Sequence, residues 1–238
     1  MPVRKQVARW LLTGGAAAGP LFVGTFLAEG ATREQYDPVR HPVSGLALGP
    51  GGRWQTANFA VTGVLYLGLA TGLALIRTDD AGPVPPSRLG PVLLGASAAG
   101  LIGSAIFVTD PISGYPPGTP DALAEPTATG RRHDLSAVPV FLGLPVAQVL
   151  YARAFRRAGQ AGWAAASAGS AAATFTGFAL ASAGFAQTPS LVRWAGLFQR
   201  ASVISAFGWQ TALALRAIAQ AKAGTAMFTV SPSSVVST

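Results

Sequence analysis

WAAASAGSAAATFTGFALASAG, residues 163–184, is mostly Ala and Gly and carries no charged side chain. As a helix it is long enough to cross a hydrocarbon core of about 30 Å, which takes about 20 apolar residues. Small side chains let helix backbones approach closely in lipid, where burial of apolar surface gives no drive to associate. The stretch LLGASAAGLIGSA, residues 93–105, has the same character. Working outward, six apolar runs stand between polar or Pro/Gly-rich segments: Trp10–Ala28, Asn58–Ile76, Leu89–Val108, Leu135–Tyr151, Trp163–Phe185 and Trp194–Leu215. The expected fold is an all-α integral membrane protein, a tight bundle of six transmembrane helices.

Composition supports this reading. The 238 residues are 50% hydrophobic and only 11% charged, with mean hydropathy +0.41, whereas soluble domains carry about 25% charged residues. There is no Cys, which excludes a disulfide scaffold, a thiolate nucleophile and every Cys-ligated metal centre. Arg4, Lys5 and Arg9 before an apolar run resemble a signal peptide, but the run has span length, so an uncleaved first helix is expected. With the N-terminus in the cytoplasm, ten of the 17 basic residues fall on inner segments, as the positive-inside rule favours. Of the acids, only Asp79 and Asp80 fall there, so the inner side carries the whole net charge of +8. The basic character therefore reports topology, not contact with nucleic acid. Residues 1–221 are expected to form one domain with both termini cytoplasmic, and residues 222–238 a mobile cytoplasmic tail. Trp10, Trp54, Trp163, Trp194 and Trp209 read as interfacial anchors near span ends.

The two long connections, about 29–57 and 109–134, lie on the outer side and are expected to be ordered. The first contains YDPVRHPVSGLALGPGGRWQTANF, residues 36–59; the second contains TDPISGYPPGTP and RRHDLS. Both open on Asp-Pro, and each is followed by a similar helical tetrad, Tyr66-Leu67-Gly68-Leu69 and Phe141-Leu142-Gly143-Leu144, a weak sign of duplication.

Both histidines, His41 and His133, fall at these loops, and imidazole exchanges protons most readily near neutral pH. A carboxylate beside it fixes the tautomer and raises its basicity. The candidate catalytic set is His41, His133, Asp37, Asp110 and Asp134, with Asp37 or Asp110 the better histidine partner, since Asp134 adjoins His133 along a helix. Arg40, Ser44, Gln55, Asn58, Tyr115, Gln199 and Arg200 are the candidate substrate-binding residues, because polar groups at or inside helix ends usually face a cavity. Each has a structural alternative in capping or loop closure, and Asp134 suits an N-cap. No His-x-x-x-His or Glu-x-x-His spacing suggests a metal, and no phosphate loop or nucleophile elbow is present; no cofactor is expected.

The motifs DPVRHPVSGLALGPGG with Gln55 and Asn58, then TDPISGYPPGTP, HDLSA and GLFQR, occur in an order that resembles the bacterial six-helix membrane family catalogued as domain of unknown function 998. The resemblance runs from about Gly14 to Leu215. It implies the six-span fold in a bacterial cell membrane and weight on the loop motifs, and it supplies no reaction. The leading functional expectation is a cofactor-independent acid–base enzyme that cyclises, isomerises or hydrolyses a lipid-like or apolar small molecule at the outer membrane surface. The alternative is a non-catalytic binding, sensor or accessory protein; a transporter ranks third, because no charge falls at mid-span. Membrane lipids and an apolar small molecule are the expected partners, and the small-residue faces also admit a homo-oligomer.

Overall fold

Every apolar run becomes one long helix in the computed structural model, which describes residues 2–76 and 82–226. The helices are α1 (Pro2–Thr32), α2 (Gly52–Ile76), α3 (Gly90–Ile106), α4 (Ala128–Arg157), α5 (Ala161–Phe185) and α6 (Ala195–Ala226). Short 3₁₀ turns occupy Val43–Ala47 and Val192–Trp194, and no strand occurs among the described residues. Each helix packs on its sequence neighbours, and α6 returns to close the ring on α1. The inner charges expected at Arg77, Asp79 and Asp80 lie outside the described residues, as does the tail from residue 227.

Four of the six helices are long and apolar enough to cross a membrane: α1, α2, α4 and α5. The third is an apolar helix of 17 residues, about 25 Å at 1.5 Å per residue. The sixth has 32 residues but carries Arg200 and Arg216 along its length. Each helix presents large apolar side chains outward, with Trp10, Val92, Ile106 and Leu135 all more than 60% exposed. In water such a surface would be a liability; in lipid it is the solvated face.

Helix limits differ from the hydropathy reading where polar residues extend a helix. The fourth helix starts at Ala128, not Leu135, because Thr127 caps it: Thr127 Oγ1 accepts the Gly130 N–H at 3.0 Å. Asp134 therefore lies inside the helix and is not its N-cap. Likewise α6 continues past Leu215 to Ala226. Trp10, Trp54 and Trp194 are exposed as anchors would be, but Trp209 is buried, and its indole donates to Ser167 Oγ at 3.0 Å.

Glycines set the helix spacing. A Cβ on Gly15 would sit 2.6 Å from Leu69 Cβ, joining α1 to α2; one on Gly63 would sit 2.7 Å from Ile102 of α3. On α5, a Cβ at Gly177 would meet the Phe198 carbonyl oxygen at 2.9 Å and the Ser202 backbone nitrogen at 3.1 Å, whereas nothing lies within 4 Å of Gly169. The two glycines should thus respond oppositely to alanine. Gly169→Ala gains about 1 kcal/mol of helix propensity, while Gly177→Ala must part α5 from α6 at about 1–3 kcal/mol. Thermal melts of the two variants in one detergent should move Tm in opposite directions.

Candidate functional site

Loop 33–51 is fastened to the start of α6. Arg200 is 5% exposed and donates from Nη1 to the His41 carbonyl (2.9 Å) and the Gly196 carbonyl (3.0 Å), and from Nη2 to the Tyr36 hydroxyl (2.5 Å). Its guanidinium also lies over the rings of Phe26 and Tyr36, at 5.7 and 5.6 Å. Tyr36 passes the chain of bonds on, donating to the Pro42 carbonyl at 2.8 Å. Burial pushes its hydroxyl up to about 12, against the pull of Arg200, so it keeps the hydrogen it donates. The Val43 N–H donates to Gln199 Oε1 (2.7 Å), and the Leu197 N–H to the Val39 carbonyl (2.9 Å). Gly196 has no room for a side chain, since a Cβ would stand 2.5 Å from the His41 carbonyl oxygen. The GLFQR motif is thus a clasp on the first loop.

His41 belongs to the same fastening. Its ring Nδ1 accepts the Asp37 backbone N–H at 2.9 Å, and the His41 backbone N–H donates to the Asp37 carbonyl at 2.7 Å. Burial pushes its pKa below the usual 6.5, outweighing the attraction of Asp37, so the ring is neutral. Tyr115 of the second loop packs on Tyr36 (5.0 Å) and on His41 (5.1 Å). Arg40 pairs with Asp121 at 2.6 Å, and Gln187 Nε2 donates to the Asp121 carbonyl at 3.0 Å, so the three connections at this end of the bundle interlock.

The carboxylates take structural positions. Asp37 Oδ1 accepts the Val39 N–H at 2.8 Å. Asp110 accepts from Thr127, at 2.8 Å from the N–H and 2.6 Å from the hydroxyl, and so steadies the cap of α4. The two Asp-Pro sites therefore do different work, and neither carboxylate is hydrogen-bonded to a histidine as sequence reasoning expected; Asp37 meets His41 only through its backbone.

Beneath the interlocked loops lies a cavity of about 440 Å³. Of the twelve expected site residues, Ser44, His133, Asp134 and Gln199 line it; Asp37, Arg40, His41, Asp110, Tyr115, Arg200, Gln55 and Asn58 do not. Its walls are mainly apolar, and five of the helices each contribute a phenylalanine: Phe22 of α1, Phe59 of α2, Phe141 of α4, Phe178 of α5 and Phe207 of α6. These phenylalanines escaped the sequence reading because, at helical spacing, an aromatic that lines a pocket looks like one that fills a core.

His133 is the buried titratable group on the cavity wall, at 6% exposure. Its Nδ1 is 2.8 Å from the Phe107 carbonyl oxygen at the end of α3. A carbonyl only accepts, so Nδ1 carries the hydrogen and Nε2 is the acceptor of the neutral ring. The Phe59 ring meets the imidazole edge-on at 6.2 Å. Asp134, next along the helix, is exposed at the rim.

The wall contributed by α4 is widened by a π-turn at Pro139–Gly143. The Leu144 N–H reaches back five residues to the Pro139 carbonyl, which also accepts from Ser97 Oγ at 2.6 Å. This extra residue in the turn brings Val138, Val140, Phe141 and Leu142 to the cavity together. Lining residues on α4 (Asp134, Val138, Leu142), on α5 (Ser182) and at its C-cap (Ala186) are exposed, so the cavity opens sideways between these two helices. Phe141 and Phe178 stack across that opening at 4.5 Å, with 8° between their planes. Among the described residues, no three His, Cys, Asp or Glu gather as a metal site would require.

A family model described as a protein of unknown function, DUF998, matches residues 16–216. No curated protein and no solved structure matches the chain.

The neutral state of His41 has a pH consequence. Above about pH 6.5 both folded and unfolded chains hold this imidazole neutral; below it, the unfolded chain binds the proton first, and stability falls as pH drops. In His41→Asn the amide oxygen can take the place of Nδ1 without titrating. Melting curves between pH 7.5 and 5.5 should therefore fall less steeply in His41→Asn than in the natural chain.

Proposed function

The chain belongs to the family of unknown function DUF998, and we propose that it is a six-span membrane protein that takes a lipid-like or apolar small molecule into the cavity between α4 and α5 and acts on it with His133 as acid–base group. The observation that carries this reading is the cavity itself: an aromatic pocket with one buried imidazole, opening sideways between two helices that are each apolar enough to span a membrane. A molecule dissolved in the bilayer reaches such an opening without entering water. Closure of the ring by α3 and α6 supports counting them as spans. The charge asymmetry supports cytoplasmic termini and a pocket on the outer side of a bacterial cell membrane.

In this reading, the aromatic walls hold the apolar body and exclude water, while Nε2 of His133 takes a proton from the polar end of the molecule and returns it. Proton transfer of this kind contributes about 10²–10⁴-fold in rate and suits cyclisation, isomerisation or hydrolysis. Ser104, Ser44 and Gln199 on the wall supply hydrogen bonds to a polar end-group. The alternative of a non-catalytic binding or sensor protein draws on a specific observation: His133 meets a backbone carbonyl at Nδ1, where a catalytic histidine usually meets a carboxylate. Transport remains third. At the opposite end of the bundle, Arg216 Nε donates to the Pro83 carbonyl (2.7 Å) and Gln220 Oε1 accepts the Val84 N–H (3.0 Å), which closes the ring there.

Ala137 lines the cavity and leaves space that a larger side chain would fill. Purified protein titrated with a dansyl-labelled C16 chain should bind it, and Ala137→Trp should weaken binding at least tenfold, about 1.4 kcal/mol. Equal binding by the two proteins would sink the pocket reading. Lipid profiles of deletion cells complemented with the natural chain or with His133→Gln then separate the two functions. Loss of a product with His133→Gln, in protein that still binds the probe, marks an enzyme; unchanged profiles mark a binding protein.

A further inference from the structure

Along the inner face of α2, buried hydrogen-bonding atoms recur at successive turns with no protein partner. Gln55 Nε2, Asn58 Oδ1, Thr62 Oγ1 and Tyr66 Oη are each unpartnered among the described residues. The four side chains are 0%, 5%, 0% and 1% exposed. Spacings of three and four residues place them on one stripe of the helix. At its upper end Asn58 Nδ2 donates to the Phe22 carbonyl at 3.1 Å and to Gln55 Oε1 at 3.2 Å. At its lower end the Tyr66 ring packs on Phe207 of α6 at 5.1 Å.

The sixth helix answers with the same feature. Gln210 follows Phe207 by one turn, is 1% exposed, and has neither amide atom partnered among the described residues. Gly19 of α1 stands against Tyr66 of α2 and against Thr211 of α6, which follows Gln210 in sequence. A Cβ there would come within 2.6 Å of Thr211 Oγ1 and 3.0 Å of Tyr66 Oη, so the missing side chain leaves room for those polar atoms. None of Gln55, Asn58, Thr62, Tyr66 and Gln210 lines the cavity; the contiguous rings of Phe22, Phe59 and Phe207 form its wall on that side.

One unpaired group in a core is tolerated. Four such side chains along one face of α2, with a fifth on α6, are not a chance defect, since buried polar groups are almost always satisfied by protein or by ordered water. The file mixes a donor (Gln55), an acceptor (Asn58), two hydroxyls that do both, and an amide that does both. Only a ligand that both donates and accepts at every step answers such a set. No carboxylate or imidazole is present to hold a metal, and an apolar ligand would leave every atom unpaired.

We propose that the centre of the bundle, between α1, α2 and α6, is a hydration site: a file of water molecules bridging Gln55, Asn58, Thr62, Tyr66 and Gln210. The protein then has two compartments side by side, a largely apolar pocket and a hydrated polar seam, with the Phe22–Phe59–Phe207 wall between them.

X-ray hydroxyl-radical footprinting of the natural chain in nanodiscs tests this directly, because radiolysis of bound water labels the side chains it touches. Normalised to intrinsic reactivity, Tyr66 should be labelled several-fold faster than Phe155, which is equally buried at 0% exposure. Thr62→Val should lower Tm by about 2–4 °C through loss of one bridged water; in a dry seam the same change would remove an unpaired hydroxyl and raise Tm. A Tyr66 rate no higher than that of Phe155, or a Tm that rises or does not move, overturns the proposal.

Discussion

A single buried cation organises the loop end of this protein. Arg200 is withdrawn from solvent and spends its donors on two backbone carbonyls and the Tyr36 hydroxyl, with aromatic faces of Phe26 and Tyr36 beside it. Charge-assisted hydrogen bonds contribute about 1.5–3 kcal/mol each, and the planar guanidinium fork fixes direction as well as energy. Lysine carries its three donors on one nitrogen and cannot reproduce the span of a fork whose two separate nitrogens reach the carbonyls and the hydroxyl. Because two of the bonds go to Tyr36 and to the His41 carbonyl, the first loop cannot leave α6 without exposing an unpaired charge to an apolar surround.

Everything above the cavity follows from that fastening. With the first loop held, His41 and Tyr36 present the surface on which Tyr115 packs, and Arg40 is placed to meet Asp121 of the second loop. The roof is thus built of polar contacts, while the walls below are mainly aliphatic and phenylalanine side chains. The division has a physical cause. Loop backbone near the membrane must find partners for its N–H and C=O groups, so histidine, arginine and aspartate are consumed there. The helices satisfy their own backbones and are free to present apolar rings.

The π-turn of α4 shows how a small departure from regular geometry shapes a site. One extra residue per turn at Pro139–Gly143 loosens the helix where Ser97 can bond the Pro139 carbonyl. It widens the wall between α4 and α5 at the level of the Phe141–Phe178 stack. His133, two turns earlier on the same helix, owes its orientation to the C-cap of α3, whose Phe107 carbonyl holds its Nδ1.

Much of the fold was legible in the sequence. Hydropathy located all six helices, since apolar length is a property of the chain itself, and runs such as residues 163–184 announced close helix contacts before any were seen. Asp37, Arg40, His41 and Ser44 in the first loop, and Gln199 and Arg200 at the start of α6, were recognisable as special from their chemistry alone, whereas Tyr36 and Gly196 were not. What the sequence left open was which of them face a ligand and which only each other. Arg200 and His41 are as polar as His133, and their assignment to the roof depends on contacts between segments more than 150 residues apart. The pocket was equally hidden, because the same phenylalanine fills a core or lines a cavity according to how its helices splay. Composition and periodicity thus determined a bundle of apolar helices with polar loops at one end; only the tertiary packing decided that His133 alone among the histidines meets an open space.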